Sequence, residues 1–130
     1  MLVSITRLRL RSAWHLIPFF IHTTRSRKQA ESSPGCLVVK VRKTKGLAFW
    51  TLTAWENETS LRAFMAVGPH RAAMPKLFHW CDEAATAHWP VDTTVMPDWD
   101  SATQQLLQHG RLSKLKHPSA AQRSGRIDVS

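Results

Sequence analysis

The segment from Leu47 to Trp55 is apolar on both sides of an extended chain. In a strand, alternate side chains point to opposite faces. One face then carries Leu47, Phe49, Thr51, Thr53 and Trp55, and the other Ala48, Trp50, Leu52 and Ala54. Such a strand needs cover on both faces. Two helices suffice for one face of a small sheet. In 130 residues nothing obvious remains for the second face, and soluble monomers seldom expose an apolar patch of that size. A twin subunit across a twofold axis would shelter it, so the strand predicts a homodimer.

The neighbouring segments supply partners for this strand. Residues 2–11 end in a Leu/Arg alternation and predict a half-exposed strand. A helix is expected from about Ile17 to Glu31, with Pro18 in its first turn and Ser32-Ser33-Pro34-Gly35 as its stop. Cys36 to Lys43 alternates as a strand and pairs with Leu47–Trp55 through Thr44-Lys45-Gly46, a turn whose Gly suits positive φ. Asn57 or Thr59 caps a helix bearing Leu61, Phe64 and Met65. Gly68-Pro69 breaks that helix, and Met74, Leu77, Phe78 and Cys81 resume the helical spacing. A last strand is expected over Ala85–Val91. The order β-α-β-β-α-β with antiparallel pairing is that of a ferredoxin-like α+β fold. Asp98 caps a further short helix, Ser101 to His109, closed by Gly110. One domain over residues 1–110 and a flexible basic tail over 111–130 follow from the loss of apolar patterning.

Composition narrows the chemistry. Six Trp and no Tyr exclude every mechanism that needs a phenol. Cys36 and Cys81 have no metal or redox spacing, which points to a reducing, cytoplasmic setting. The apolar run Ala13–Ile21 is too short to span a bilayer and is interrupted by His15 and Pro18. Residues 1–45 hold ten Lys/Arg against the single acid Glu31, whereas the middle of the chain is acidic. Nucleic acid is nevertheless disfavoured as a partner, because the aromatics among the basic residues, Trp14, Phe19 and Phe20, read as core. Glu56, Glu58, Asp82 and Glu83 form no catalytic carboxylate pair and read as solvated. No nucleotide-binding, P-loop, zinc-protease or serine-hydrolase motif is present.

The stretch FWTLTAWENETSLRAFMAVGPHRAAMPKLFHWCDEAATAHW, residues 49–89, combines a Trp-Glu strand end, Leu-x-x-Phe, Gly-x-His-Arg at a helix break and a closing His-Trp strand. Over residues 36–110 the chain resembles the antibiotic-biosynthesis-monooxygenase-like dimeric α/β-barrel proteins. It looks closest to an uncharacterised branch, with spheroidene-monooxygenase-like proteins as distant kin. The resemblance implies a dimer whose sheets meet as a barrel, with a pocket in each half.

His70, following the break at Gly68-Pro69, is the candidate catalytic residue, as base, hydrogen-bond donor or metal ligand. A histidine packing at a helix break is the plainer account of it. Haem-degrading relatives place their ligand histidine about one turn beyond this position, where the chain has Met74 followed by Pro75, so haem is disfavoured although Met can ligate iron. Trp50, Trp55, Phe64, Met74, His88 and Trp89 are the candidate pocket residues. Trp50 and Trp55 differ in parity, as do His88 and Trp89, so neither pair lines one cavity together. A monooxygenase-like enzyme acting without a bound cofactor on a flat apolar, aromatic or polyene molecule is the first functional expectation. A non-catalytic dimeric barrel that binds a small hydrophobic ligand is the alternative.

Overall fold

The computed structural model describes residues 1–129. The elements run β1 (Leu2–Leu10), α1 (Leu16–Ser32), β2 (Cys36–Lys43), β3 (Ala48–Trp55), α2 (Glu58–Ala66), α3 (Gly68–Trp80), β4 (Cys81–Pro90), α4 (Trp99–His109), β5 (Arg111–Leu112) and α5 (Ala120–Arg123). A short 3-10 turn, Ala13–His15, leads into α1. The sheet order is β2-β3-β1-β4-β5 with every pair antiparallel, which is the ferredoxin-like order with one strand added beyond β4. Gly46 closes the hairpin at φ +75°, as its position between two strands requires.

Register assigns the two faces. Ser4, Thr6 and Leu8 pair with Thr53, Thr51 and Phe49 and look towards α1, α2 and α3. Val3, Ile5 and Arg7 pair with Ala54, Leu52 and Trp50 on the opposite face. The expectation that this second face is bare is corrected here. Ala102 and Leu106 of α4 are fully buried against Val3, Ile5, Trp50 and Leu52, with Met96, Trp99, Ile127 and Val129 packed around them. The chain therefore shelters its own greasy strand. Amphipathic α4 is short, but two apolar positions one turn apart meet the sheet, and the terminal residues add the rest.

The C-terminal segment crosses the outer edge of the sheet. Leu115 joins the Leu10, Phe19 and Cys81 cluster on the α1–α3 side, while Ile127 and Val129 pack on the α4 side. Gln122 replaces a missing strand neighbour: its Oε1 accepts from the Ala84 N–H, and its Nε2 donates to the Ala84 and Ser113 carbonyls.

β4 begins at Cys81, four residues before the expected Ala85, so Asp82 and Glu83 belong to a strand and not to a helix surface. Glu83 is 4% exposed, contrary to its reading as solvated. Arg7 Nη1 donates to Glu83 Oε1 at 2.8 Å, Ser119 Oγ donates to Glu83 Oε2 at 2.7 Å, and Arg9 holds both oxygens of Asp82. Pairing offsets the cost of burying these charges, although Arg7 Nε is buried without a partner. Trp14 and Phe20, read as core, are exposed at 90% and 50%. Among the described residues no helix is long and apolar enough to cross a membrane.

Candidate functional site

A cavity of about 760 Å³ separates α1, α2 and α3 from the sheet. Its floor is unusual for a core. Ser4 and Thr6 of β1, Thr51 and Thr53 of β3 and Thr86 of β4 lie on the face that looks into it, so five hydroxyls carpet the sheet centre. Larger apolar side chains there would have let the helices settle onto the strands. The roof is apolar, formed by Phe19 of α1, Leu61 and Phe64 of α2, and Ala73, Met74 and Leu77 of α3. No carboxylate lines the cavity among the described residues, whereas Arg27, Lys43 and Arg111 do. The exposed Phe20, Val41 and Lys43 show where it meets solvent between α1 and β2.

His70 stands where the roof breaks. The α2–α3 break leaves backbone groups without helical partners, and Gln29 of α1 satisfies three of them. Its Nε2 donates to the Phe64 and Val67 carbonyls at 3.1 and 2.8 Å, and its Oε1 accepts the His70 N–H at 2.8 Å. Gly68 adopts φ +68°, and a Cβ there would approach the Gln29 amide to 3.3 Å. One glutamine thus fixes the position from which the imidazole enters the cavity. The ring packs on Phe64 at 4.6 Å between centroids, and Phe64 packs on Trp55 at 5.2 Å. Nδ1 of His70 is buried and has no hydrogen-bond partner. Burial pushes the His70 pKa below its usual value, and the Met65 carbonyl pulls weakly the other way. The imidazole is therefore neutral at neutral pH and offers one vacant nitrogen.

The predicted site residues divide between the two faces. Phe64, His70, Met74 and His88 line the cavity. Trp55 lies on the cavity side but is wholly buried behind Phe64, with its Nε1 donating to Thr53 Oγ1 at 2.9 Å. Trp50 borders the cavity but packs mainly on the α4 face, 1% exposed, with Nε1 donating to Thr44 Oγ1. There the Arg42 guanidinium lies between the Trp50 and Trp99 rings, 4.5 Å from each centroid. Trp89 also packs on the α4 side. Neither indole N–H of Trp50 or Trp55 is free to donate to a ligand, so the donors that sequence reasoning sought in Trp are supplied by the Ser and Thr floor. The inward parity of Ser4, Thr6, Thr51, Thr53 and Thr86 was the signal for that floor, and Gln29 left none.

Among the described residues no group of three or more His, Cys, Asp and Glu is arranged to hold a metal ion. Residues 15–114 match the family described as a domain of unknown function, DUF3291. No curated protein matches the chain. Solved structures share its fold. A candidate antibiotic biosynthesis monooxygenase from Deinococcus radiodurans aligns at 17% identity and TM-score 0.66, covering 75% of this chain and 99% of that one. SnoaB, a cofactor-independent oxygenase from Streptomyces nogalater, aligns at 13% identity and TM-score 0.57 over 74% of this chain and 97% of its own. A conserved Methanosarcina mazei protein aligns at 14% identity and TM-score 0.61, covering 68% of this chain and 89% of that one.

Proposed function

The chain belongs to the DUF3291 family, and from that premise we propose that its cavity oxidises a flat, apolar, weakly acidic molecule with O₂ and no bound cofactor. The observation that carries this reading is the buried, unpartnered Nδ1 of His70 in a cavity with an apolar roof and a hydroxyl floor. SnoaB, which shares the fold, is a cofactor-independent oxygenase.

In the proposed reaction His70 Nδ1 takes the acidic proton of a substrate CH₂ flanked by conjugated groups. The resulting imidazolium and the floor hydroxyls hold the anion, whose charge spreads onto a substrate oxygen. The electron-rich carbon then reacts with O₂. The CH₂ becomes C=O, and the second oxygen atom leaves as water with both hydrogens, so no reductant is consumed. The absence of carboxylates from the lining favours the anionic form of the substrate.

The test is oxygen uptake with polycyclic enols and phenols. Positioned proton transfer contributes about 10²- to 10⁴-fold, so His70→Ala should lower kcat by that much with little change in binding. Undiminished turnover in His70→Ala would remove this mechanism. The second reading, a barrel that only binds a hydrophobic ligand, rests on the same cavity. It predicts ligand binding without oxygen uptake.

We further propose that the chain self-associates. The support is that β2 is an outer strand with Leu37 and Val41 about half exposed, and that Ile17 and Phe20 of α1 are exposed as well. Light scattering should show a dimer, and a strictly monomeric protein at micromolar concentration would refute it.

A further inference from the structure

At the far end of α3 from His70, basic groups from separate parts of the chain converge. His79 lies 5.4 Å from His117 and 6.1 Å from His15, ring centroid to ring centroid. Arg11 joins them, its Nε donating to the His79 carbonyl at 2.8 Å and its Nη2 lying 3.2 Å from His79 Nε2. His15 stacks on Trp80, and His22 packs against the same indole while receiving Lys76 Nζ at 3.3 Å. Backbone bonds lock the segments together: Arg11 N–H donates to the Trp80 carbonyl and Lys116 N–H to the Phe78 carbonyl.

Arg and Lys have no acceptor, so His79 and His22 must accept through Nε2 and carry their protons on Nδ1. Loss of water and then the charges of Arg11, His117 and Lys116 lower the His79 pKa. Loss of water, then Arg11 and His79, do the same for His15, and loss of water, then Lys76 and Arg25, for His22. Every charged neighbour that shifts these imidazoles is basic. Arg11, Lys76 and Lys116 thus bring positive charge to a group of imidazoles.

We propose that Arg11, His15, His79, Lys116 and His117 bind a multiply charged oxyanion, the phosphate group of a small molecule. Two or three tetrahedrally arranged oxygens accept from the Arg11 fork and from imidazole N–H groups at once. A metal ion is the wrong occupant, since Arg11 and Lys116 would repel it. The site is separate from the cavity and does not depend on the reaction proposed for it.

Inorganic sulfate, a tetrahedral dianion with the same charge at both pH values, is a suitable probe, titrated calorimetrically into the full chain at pH 6 and pH 8, with sodium chloride at matched ionic strength as control. Protonation of the imidazoles adds charge, so binding at pH 6 should be roughly tenfold tighter or more, with net proton uptake. His15→Gln with His79→Gln should reduce the pH dependence. Arg11→Met should weaken binding at both pH values, and all variants should keep the wild-type circular dichroism spectrum. Absence of binding, binding matched by chloride, or unaltered pH dependence in the double variant would overturn the proposal. If a variant fails to fold, proton uptake by the wild-type chain decides: none on saturation would also overturn it.

Discussion

His70 keeps a buried nitrogen without a hydrogen-bond partner in surroundings that are largely apolar. The ring rests on Phe64, and Gln29 is used up on the backbone of the helix break. Its lowered pKa has a defined sign in stability. The folded chain binds fewer protons at His70 than the unfolded chain does. Its contribution is complete above the unfolded value near 6.5 and is lost as pH falls from there through the lower folded value. Denaturant midpoints should therefore fall as the pH drops below the unfolded value, and His70→Gln should flatten that part of the curve. The same group should place the acid limb of kcat/KM below that of an ordinary histidine. Gln29→Ala leaves the Phe64 and Val67 carbonyls and the His70 N–H unpartnered. We expect a loss of about 1 to 3 kcal/mol in urea unfolding, with turnover falling further than substrate affinity.

Elements differ in how openly the sequence declares them. The hairpin Cys36–Lys43 with Leu47–Trp55 was legible because alternation and the Gly46 turn agreed. The helix break at Gly68 was legible because Gly-Pro has few other uses. The start of β4 was not, since Cys81 continues the apolar spacing of α3 while Glu83 looks like a surface residue until Arg7 is seen beside it. That pair is a long-range event, and one-dimensional pattern has no access to it. Removing one partner strands a buried charge, so Glu83→Ala should cost about 3 to 5 kcal/mol. Replacing both, as Arg7→Met with Glu83→Leu, should restore much of that loss, and a double-mutant cycle in urea checks it. Of the residues the sequence offered, Trp50, Phe64, His70, Met74 and His88 border the cavity, Trp50 while also packing on the α4 side, and Trp89 packs on the α4 side alone.

For the whole molecule, the decisive feature is that α4 and the C-terminal segment lie over the face that the sequence left bare. The segment 111–129 looked featureless because its large apolar residues are few and split between faces, Leu112, Ile127 and Val129 packing on the α4 side and Leu115 on the other. Leu106→Ala should lower stability by about 2 to 5 kcal/mol, as expected for a buried leucine whose space cannot close. A chain ending at Gly110 loses Gln122 from β4 and Ile127 and Val129 from the core. It should melt at lower temperature and aggregate, as thermal melts with light scattering would show.

Thr86 Oγ1 donates to the Ile5 carbonyl and pairs with Thr6 Oγ1, and Thr53 Oγ1 receives the Trp55 indole, whereas the hydroxyls of Ser4 and Thr51 can turn to give or to receive a hydrogen bond. Such rotors adapt to the polar edge a guest presents, while the apolar ceiling reads its shape. Selection should then follow the guest's outline rather than the chemistry of its rim. Among molecules of equal footprint, swapping a ketone for a hydroxyl should scarcely change affinity, whereas one extra fused ring should exclude the guest altogether.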